Sequence, residues 1–260
     1  MELQRLDSVH EAFSEYFGGR LSFAPLEDET PKAILEMGCG GGAWAIDAAK
    51  RFPESTVCAV DANPLPAREL PQNVHFQKLD LRDPFPFEDA SFDVVHTRLV
   101  LFHIPNAEQV LKRAYKLIKP SGWLIIEEPD ETDSADGGRG LGAHSDLVAK
   151  FHDIMRSHGA EPCIGRELQG MLESSGCFSE VNIKKVEMPL CGQPGESPSA
   201  TSLGMAWRQS HLDIAGSLPA RFSSQGITED MVQRFREAVA DPSRALLGCV
   251  YFAWAKRKAE

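Results

Sequence analysis

The sequence predicts an α/β protein assembled around one βαβ unit, and three stretches carry that expectation. Ala33–Met37 is a short apolar run that leads directly into Gly38-Cys39-Gly40-Gly41-Gly42. Ala43–Phe52 has helical composition, with apolar Trp44, Ile46, Ala48 and Ala49, and it stops before Pro53. Val57–Val60 is a second apolar run, closed by Asp61. Strand, glycine loop, helix and strand together form one half of a nucleotide-binding sheet.

Each part has a physical task. A strand that turns at once into a helix needs positive φ, and a ligand lying on the turn leaves no room for Cβ. The helix that follows presents free N–H groups to that ligand. An acid at the end of the second strand, here Asp61, can accept hydrogen bonds from ribose hydroxyls. Gly38-x-Gly40-x-x-Ala43 satisfies the loose dinucleotide pattern, which alone is weakly specific, and no P-loop is present.

The fuller spacing is Glu36-x-Gly38-x-Gly40-x-Gly42, and the run EMGCGGG closely resembles motif I of class I S-adenosylmethionine (SAM)-dependent methyltransferases. The resemblance continues through Ser91–His96, similar to the fourth-strand motif, and through Leu117–Leu124, similar to the turn into strand five with Ser121 in place of a glycine. Gly19–Leu26 and Ala43–Asp47 are similar to a fungal branch, the LaeA-like methyltransferases of secondary metabolism. The resemblance spans about residues 15–130. It implies a Rossmann-like seven-stranded sheet with helices on both faces. It implies SAM as cofactor and S-adenosyl-L-homocysteine as product. It places Glu36, Gly38, Gly40 and Gly42 along the cofactor, Asp61 and Ala62 at the ribose, Asp80 and Leu81 at the adenine, and Thr97 and Arg98 near the methionine moiety.

In chain order, Leu3, Leu6, Val9, Phe13 and Phe17 share a helical face that ends at Gly18-Gly19. This helix is either a packed edge helix or a lid over the cofactor, with Tyr16 near the methionine end. Pro64–Leu70 reads as a proline-rich turn with one helical turn, Val74–Leu79 as strand three, and Ala107–Ile118 as a helix. Trp123–Ile126 is strand five, and the polar, glycine-rich stretch 131–142 is a loop at the ligand edge. Helices are expected over His144–His158, Arg166–Ser175, Thr201–Leu218 and Thr228–Ala240, with strands at Val181–Met188 and Gly248–Ala255. The domain plan is therefore a lid at 1–30, a SAM-binding core at 31–130 and the second half of the sheet at 131–188. A helical substrate-lid insertion follows at 189–247, between the last two strands, and the last strand lies at 248–260.

The net charge of −11 disfavours a nucleic-acid partner, which needs clustered Lys and Arg. Six cysteines form no metal-ligand spacing, so no metal is expected, and they read as reduced thiols of a cytoplasmic protein. No apolar run approaches a membrane span, and the N-terminus lacks the apolar core of a signal peptide. The expected partner is a small molecule, taken by a monomer or homodimer. His103 and His144, which follow strand C-termini, are the candidate general bases, with His96, His152 and His211 behind them. Glu127, Glu128 and Asp130 follow strand five on the same edge. The expected reaction is methyl transfer to an O or N atom of a natural-product-like molecule. A LaeA-like regulatory protein, a SAM-dependent enzyme of the non-methylating pericyclase type and an NAD oxidoreductase are the alternatives.

Overall fold

The computed structural model describes residues 2–130, 140–195 and 197–260, with side chains described for all of these except 143 and 144. Helix α1 (Glu2–Tyr16) precedes β1 (Ala33–Met37), α2 (Ala43–Arg51), β2 (Thr56–Asp61), β3 (Val74–Lys78), β4 (Phe92–Arg98), α3 (Ala107–Leu117) and β5 (Ile118–Pro129). There follow α4 (Leu141–His144), α5 (Asp146–Ser157), α6 (Leu168–Ser174) and β6 (Phe178–Pro189). Helices α7 (Pro198–Ala215), α8 (Leu218–Phe222) and α9 (Glu229–Ala240) then lead to β7 (Leu247–Arg257). The seven strands form one sheet in the order β3-β2-β1-β4-β5-β7-β6. β7 runs antiparallel to both neighbours, and the other pairs are parallel. The strand order reverses between β1 and β4, so the crevice beyond their C-terminal ends is where ligands bind in such sheets.

Near-continuous apolar strands bury both faces. Leu35, Met37, Val95, Leu124 and Ile126 pack beneath α3. Ile34, Val57, Ala59, Val94 and Ile125 pack beneath α2. A third cluster joins Phe13 of α1 and Phe17 just past its end to Leu203, Trp207 and Phe235 of the α7–α9 segment and to Phe252 of β7. Ser145, Ser197 and Thr228 cap α5, α7 and α9 by accepting from the third residue of each following turn.

Strand five is longer than the apolar run Trp123–Ile126, because Ile118 already pairs with Phe92. Ser121 takes φ +63° there, and a Cβ on Gly122 would stand 2.7 Å from the Asp93 carbonyl oxygen. The expected helical turn within Pro64–Leu70 does not form. Pro64 and Pro66 lack the N–H groups such a turn would use. No helix among the described residues is long and apolar enough to cross a membrane.

Candidate active site

Gly38, Gly40 and Gly42 hold φ of +72°, +52° and +77°, a left-handed loop that only glycine adopts without strain. The Gly38 and Cys39 N–H groups donate to the Val60 carbonyl, which fastens the loop to β2. Asp61, at the end of β2, accepts from the Gly40 N–H at 2.9 Å and from the Asn63 N–H at 2.8 Å. Ala62 is exposed beside it. Past β3, Asp80 holds the Arg82 guanidinium, and buried Leu81 turns its carbonyl to Arg113 at 2.6 Å. Helix α1 lies over the loop. A Cβ on Gly40 would meet Leu6 at 3.4 Å, and one on Gly41 would meet Leu3 at 2.9 Å. Arg68 joins the two by donating to Asp7 at 3.0 Å and to the Gly41 carbonyl at 2.5 Å.

A buried polar row runs beneath this loop. Cross-strand register sets Glu36 beside His96 and Arg98 beside Glu127 on the α2 face. His96 stacks on Trp44, with ring centroids 3.7 Å apart and planes 7° from parallel. Its ring nitrogens lie 3.9 Å from Glu36 on one side and 3.9 Å from Glu127 on the other. Arg98 Nε donates to Glu127, and its terminal amino group donates to His10 Nδ1 at 3.1 Å. Arginine has no acceptor, so His10 carries its proton on Nε2 and donates it to Asp47 at 2.9 Å. Burial pushes Glu36 up to about 8 and His96 down to about 4. Burial would also raise Glu127, but the Arg98 guanidinium and the His96 ring together outweigh it and keep that carboxyl below its ordinary value. Glu36 is therefore a neutral acid at pH 7, and its Oε2 is buried with no hydrogen-bond partner.

Two expected site residues lie elsewhere. Thr97 is fully buried and alternates to the α3 face, between Met37 and Ile126, so its side chain points away from the row that holds Glu36. Tyr16 does not reach the glycine loop. The length of α1 carries it along the sheet toward the β7–β6 edge, where it stacks on Phe252 at 6.0 Å and meets Phe23 edge-on. His103 is exposed in the turn after β4, its ring 3.6 Å from that of Phe102. The side chain of His144 lies outside the described residues. The three acids expected after strand five serve the fold, Glu127 and Glu128 within the end of β5 and Asp130 just past it. Glu127 binds Arg98, Asp130 binds Arg166, and Glu128 accepts from the N–H groups of Val100, Leu101 and Phe102. Sequence reasoning gave no role to His10 or to Asp47, although Asp47 closes the Ala43–Asp47 run that resembles the LaeA-like branch. Among the described residues, no cluster of three or more His, Cys, Asp or Glu side chains is placed to hold a metal.

A family profile described as a methyltransferase domain matches residues 9–177. The chain belongs to that family. This methyltransferase is 44% identical over 217 residues to Methyltransferase str3 of Strobilurus tenacellus, covering 83% of this chain and 77% of that protein. It is 37% identical over 262 residues to Methyltransferase str2 of the same organism, covering 100% of this chain and 94% of that one. It is also 28% identical over 198 residues to the secondary metabolism regulator laeA of Monascus pilosus, covering 73% and 52%. Among solved structures, phosphoethanolamine N-methyltransferase 2 of Haemonchus contortus in complex with S-adenosyl-L-methionine shares the fold. The TM-score is 0.57 at 17% identity, over 99% of this chain and 52% of that one. The methyltransferase is a class I enzyme that uses SAM, and fungal secondary-metabolism proteins are its relatives.

Proposed function

We propose that the enzyme methylates an oxygen or nitrogen atom of a small natural-product-like molecule, which enters at the C-terminal edge of β4 and β5 beneath α7–α9. The observation that carries the cofactor half of this reading is Asp61 clamping the glycine loop at the strand switch point. The residues fit SAM. Asp61 Oδ2, whose one partner among the described residues is the Gly40 N–H, keeps a lone pair for a ribose hydroxyl, whereas Oδ1 already accepts from the Asn63 N–H and, at 3.4 Å, from its side-chain amide. Gly38, Gly40 and Gly42 keep Cβ atoms off the ligand, and Asp80 and Leu81 flank the place for adenine. Glu36, a neutral acid with an unpartnered oxygen, suits a polar group of the methionine moiety.

Bound SAM supplies a methyl group already activated by its sulfonium. The chain's own work is to orient the acceptor, which contributes several kcal/mol, and to exclude water. Leu3 and Leu6, seated on the loop, do the excluding, and α1 must lift to admit the cofactor. His103, exposed on the ligand edge, is the proton acceptor when the acceptor atom is a hydroxyl.

Calorimetric titration with SAM tests the site. Asp61→Ala is expected to bind about ten- to a hundredfold more weakly with the fold intact, the worth of a charged hydrogen-bond set. Unchanged affinity would sink the assignment. Mass spectrometry of candidate acceptors tests the transfer. A gain of one methylene per product supports it, whereas an isomer of unchanged mass favours the non-methylating reading.

A further inference from the structure

We infer that the cleft between α1 and α2 binds the anionic group of a small molecule, a carboxylate or phosphate carried on an apolar body. The inference rests on the methyl-transfer reading above and gives one of its two small molecules, acceptor or cofactor, an anionic anchor in this cleft. The cleft encloses about 460 Å³ and has no residue of the glycine loop in its lining. Arg20, Lys50, Arg51 and Arg98 line it against one carboxylate, Asp47. That excess runs against the background of the chain, which has 38 acidic and 27 basic residues. Phe17 and Leu21 add an apolar wall.

The charges do not all remain available. Asp47 is engaged by His10 at 2.9 Å and by Lys50 at 3.5 Å. Arg51 pairs with Glu27 at 3.4 Å, and Arg98 pairs with Glu127. Arg20 is left over. Its hydrogen bond among the described residues runs from Nε to the Phe17 carbonyl at 3.3 Å. Both terminal amino groups are then open for a bidentate anion.

The wall that carries Arg20 is fixed before any ligand arrives. Gly18 and Gly19, at φ +67° and +80°, turn the chain back after α1. Arg51 donates to the Gly19 carbonyl at 2.5 Å and Trp44 Nε1 to the Leu21 carbonyl at 3.2 Å, so the turn is tied to α2. Arg98 closes the floor, its guanidinium carbon 4.5 Å over the Phe13 ring.

The anion has two possible sources, the acid group of the acceptor and the methionine carboxylate of SAM. Calorimetry with benzoate as probe and benzamide as its neutral match addresses the first. Titration of SAM and of decarboxylated SAM addresses the second. Arg20→Gln is compared with wild type, and Arg20→Lys serves as the charge-conserving control. In the acceptor case, benzoate binds wild type, benzamide does not, and Arg20→Gln weakens benzoate about tenfold while SAM is unaffected. In the cofactor case, Arg20→Gln weakens SAM about tenfold, leaves decarboxylated SAM unchanged, and Arg20→Lys restores part of the loss. If Arg20→Gln alters neither benzoate nor SAM, the inference is wrong. Its failure is separate from failure of the methyl-transfer reading, because Asp61→Ala tests SAM binding through residues outside this cleft.

Discussion

Glu36 and His96, 3.9 Å apart and both buried, leave an opposed imprint on stability. Unfolded, Glu36 releases its proton near 4.5, but folded near 8. Between those values the native chain holds the extra proton, so stability falls as pH rises. His96 titrates near 6.5 unfolded and near 4 folded, so between those values the unfolded chain holds the extra proton and stability rises with pH. The two oppose each other up to about pH 6.5. Above it the fall from Glu36 stands, joined up to about 7 by Glu128, whose carboxyl burial pushes up to about 7. Glu36→Gln, a mimic of the protonated acid, is expected to remove up to about 2 kcal/mol of the fall between pH 6.5 and 8. Urea unfolding at the two pH values measures it, and an undiminished fall would show that Glu36 is ionised in the fold. His103 gives a prediction about rate alone. His103→Ala should lower kcat on a hydroxyl acceptor by about a hundredfold and leave SAM affinity unchanged. Full turnover would remove it from the mechanism.

At the scale of the element, α1 matters most. Its first half covers the glycine loop through Leu3, Leu6 and the Asp7–Arg68 bridge, and its second half is anchored in the aromatic core by Phe13, with Phe17 beside it in the turn that follows. The anchored end holds the helix while the other end lies on the loop. The Asp7–Arg68 pair is partly exposed, so its contribution is modest, about 0.5–1 kcal/mol. Asp7→Ala is accordingly expected to speed SAM dissociation about two- to fivefold, read by stopped-flow displacement. A rate equal to wild type would mean that α1 does not gate the loop.

At the scale of the molecule, the α7–α9 segment shares its core with α1 and the last strands, so these helices and the sheet edge form one packed body. Trp207 is the hinge of that packing. It is 4% exposed, 6.1 Å from the Phe13 ring, and so close to Gly248 that a Cβ there would stand 2.9 Å away. Trp207→Ala is expected to cost about 3–5 kcal/mol, seen as a lower urea midpoint. A loss below about 1 kcal/mol would show the segment to be loosely attached. The fold was largely legible because its signals are local. Glycines at fixed spacing, the acids Asp61 and Asp80 at strand ends, and apolar runs broken by Gly and Pro each speak within a few residues. Sequence by itself determined the βαβ unit, the cofactor class and the succession of helices and strands. It did not determine which polar groups meet. Arg98 pairs with Glu127 across 29 residues and with His10 across 88. Thr97 and Arg98 are adjacent in sequence, yet strand alternation sends them to opposite faces. The tertiary structure alone decided that Glu36 is a neutral acid, that the acids at the end of β5 support the fold, and that Arg20 has no ion pair among the described residues. Protonation and pairing depend on burial and on partners distant in the chain, and only packing brings those partners together.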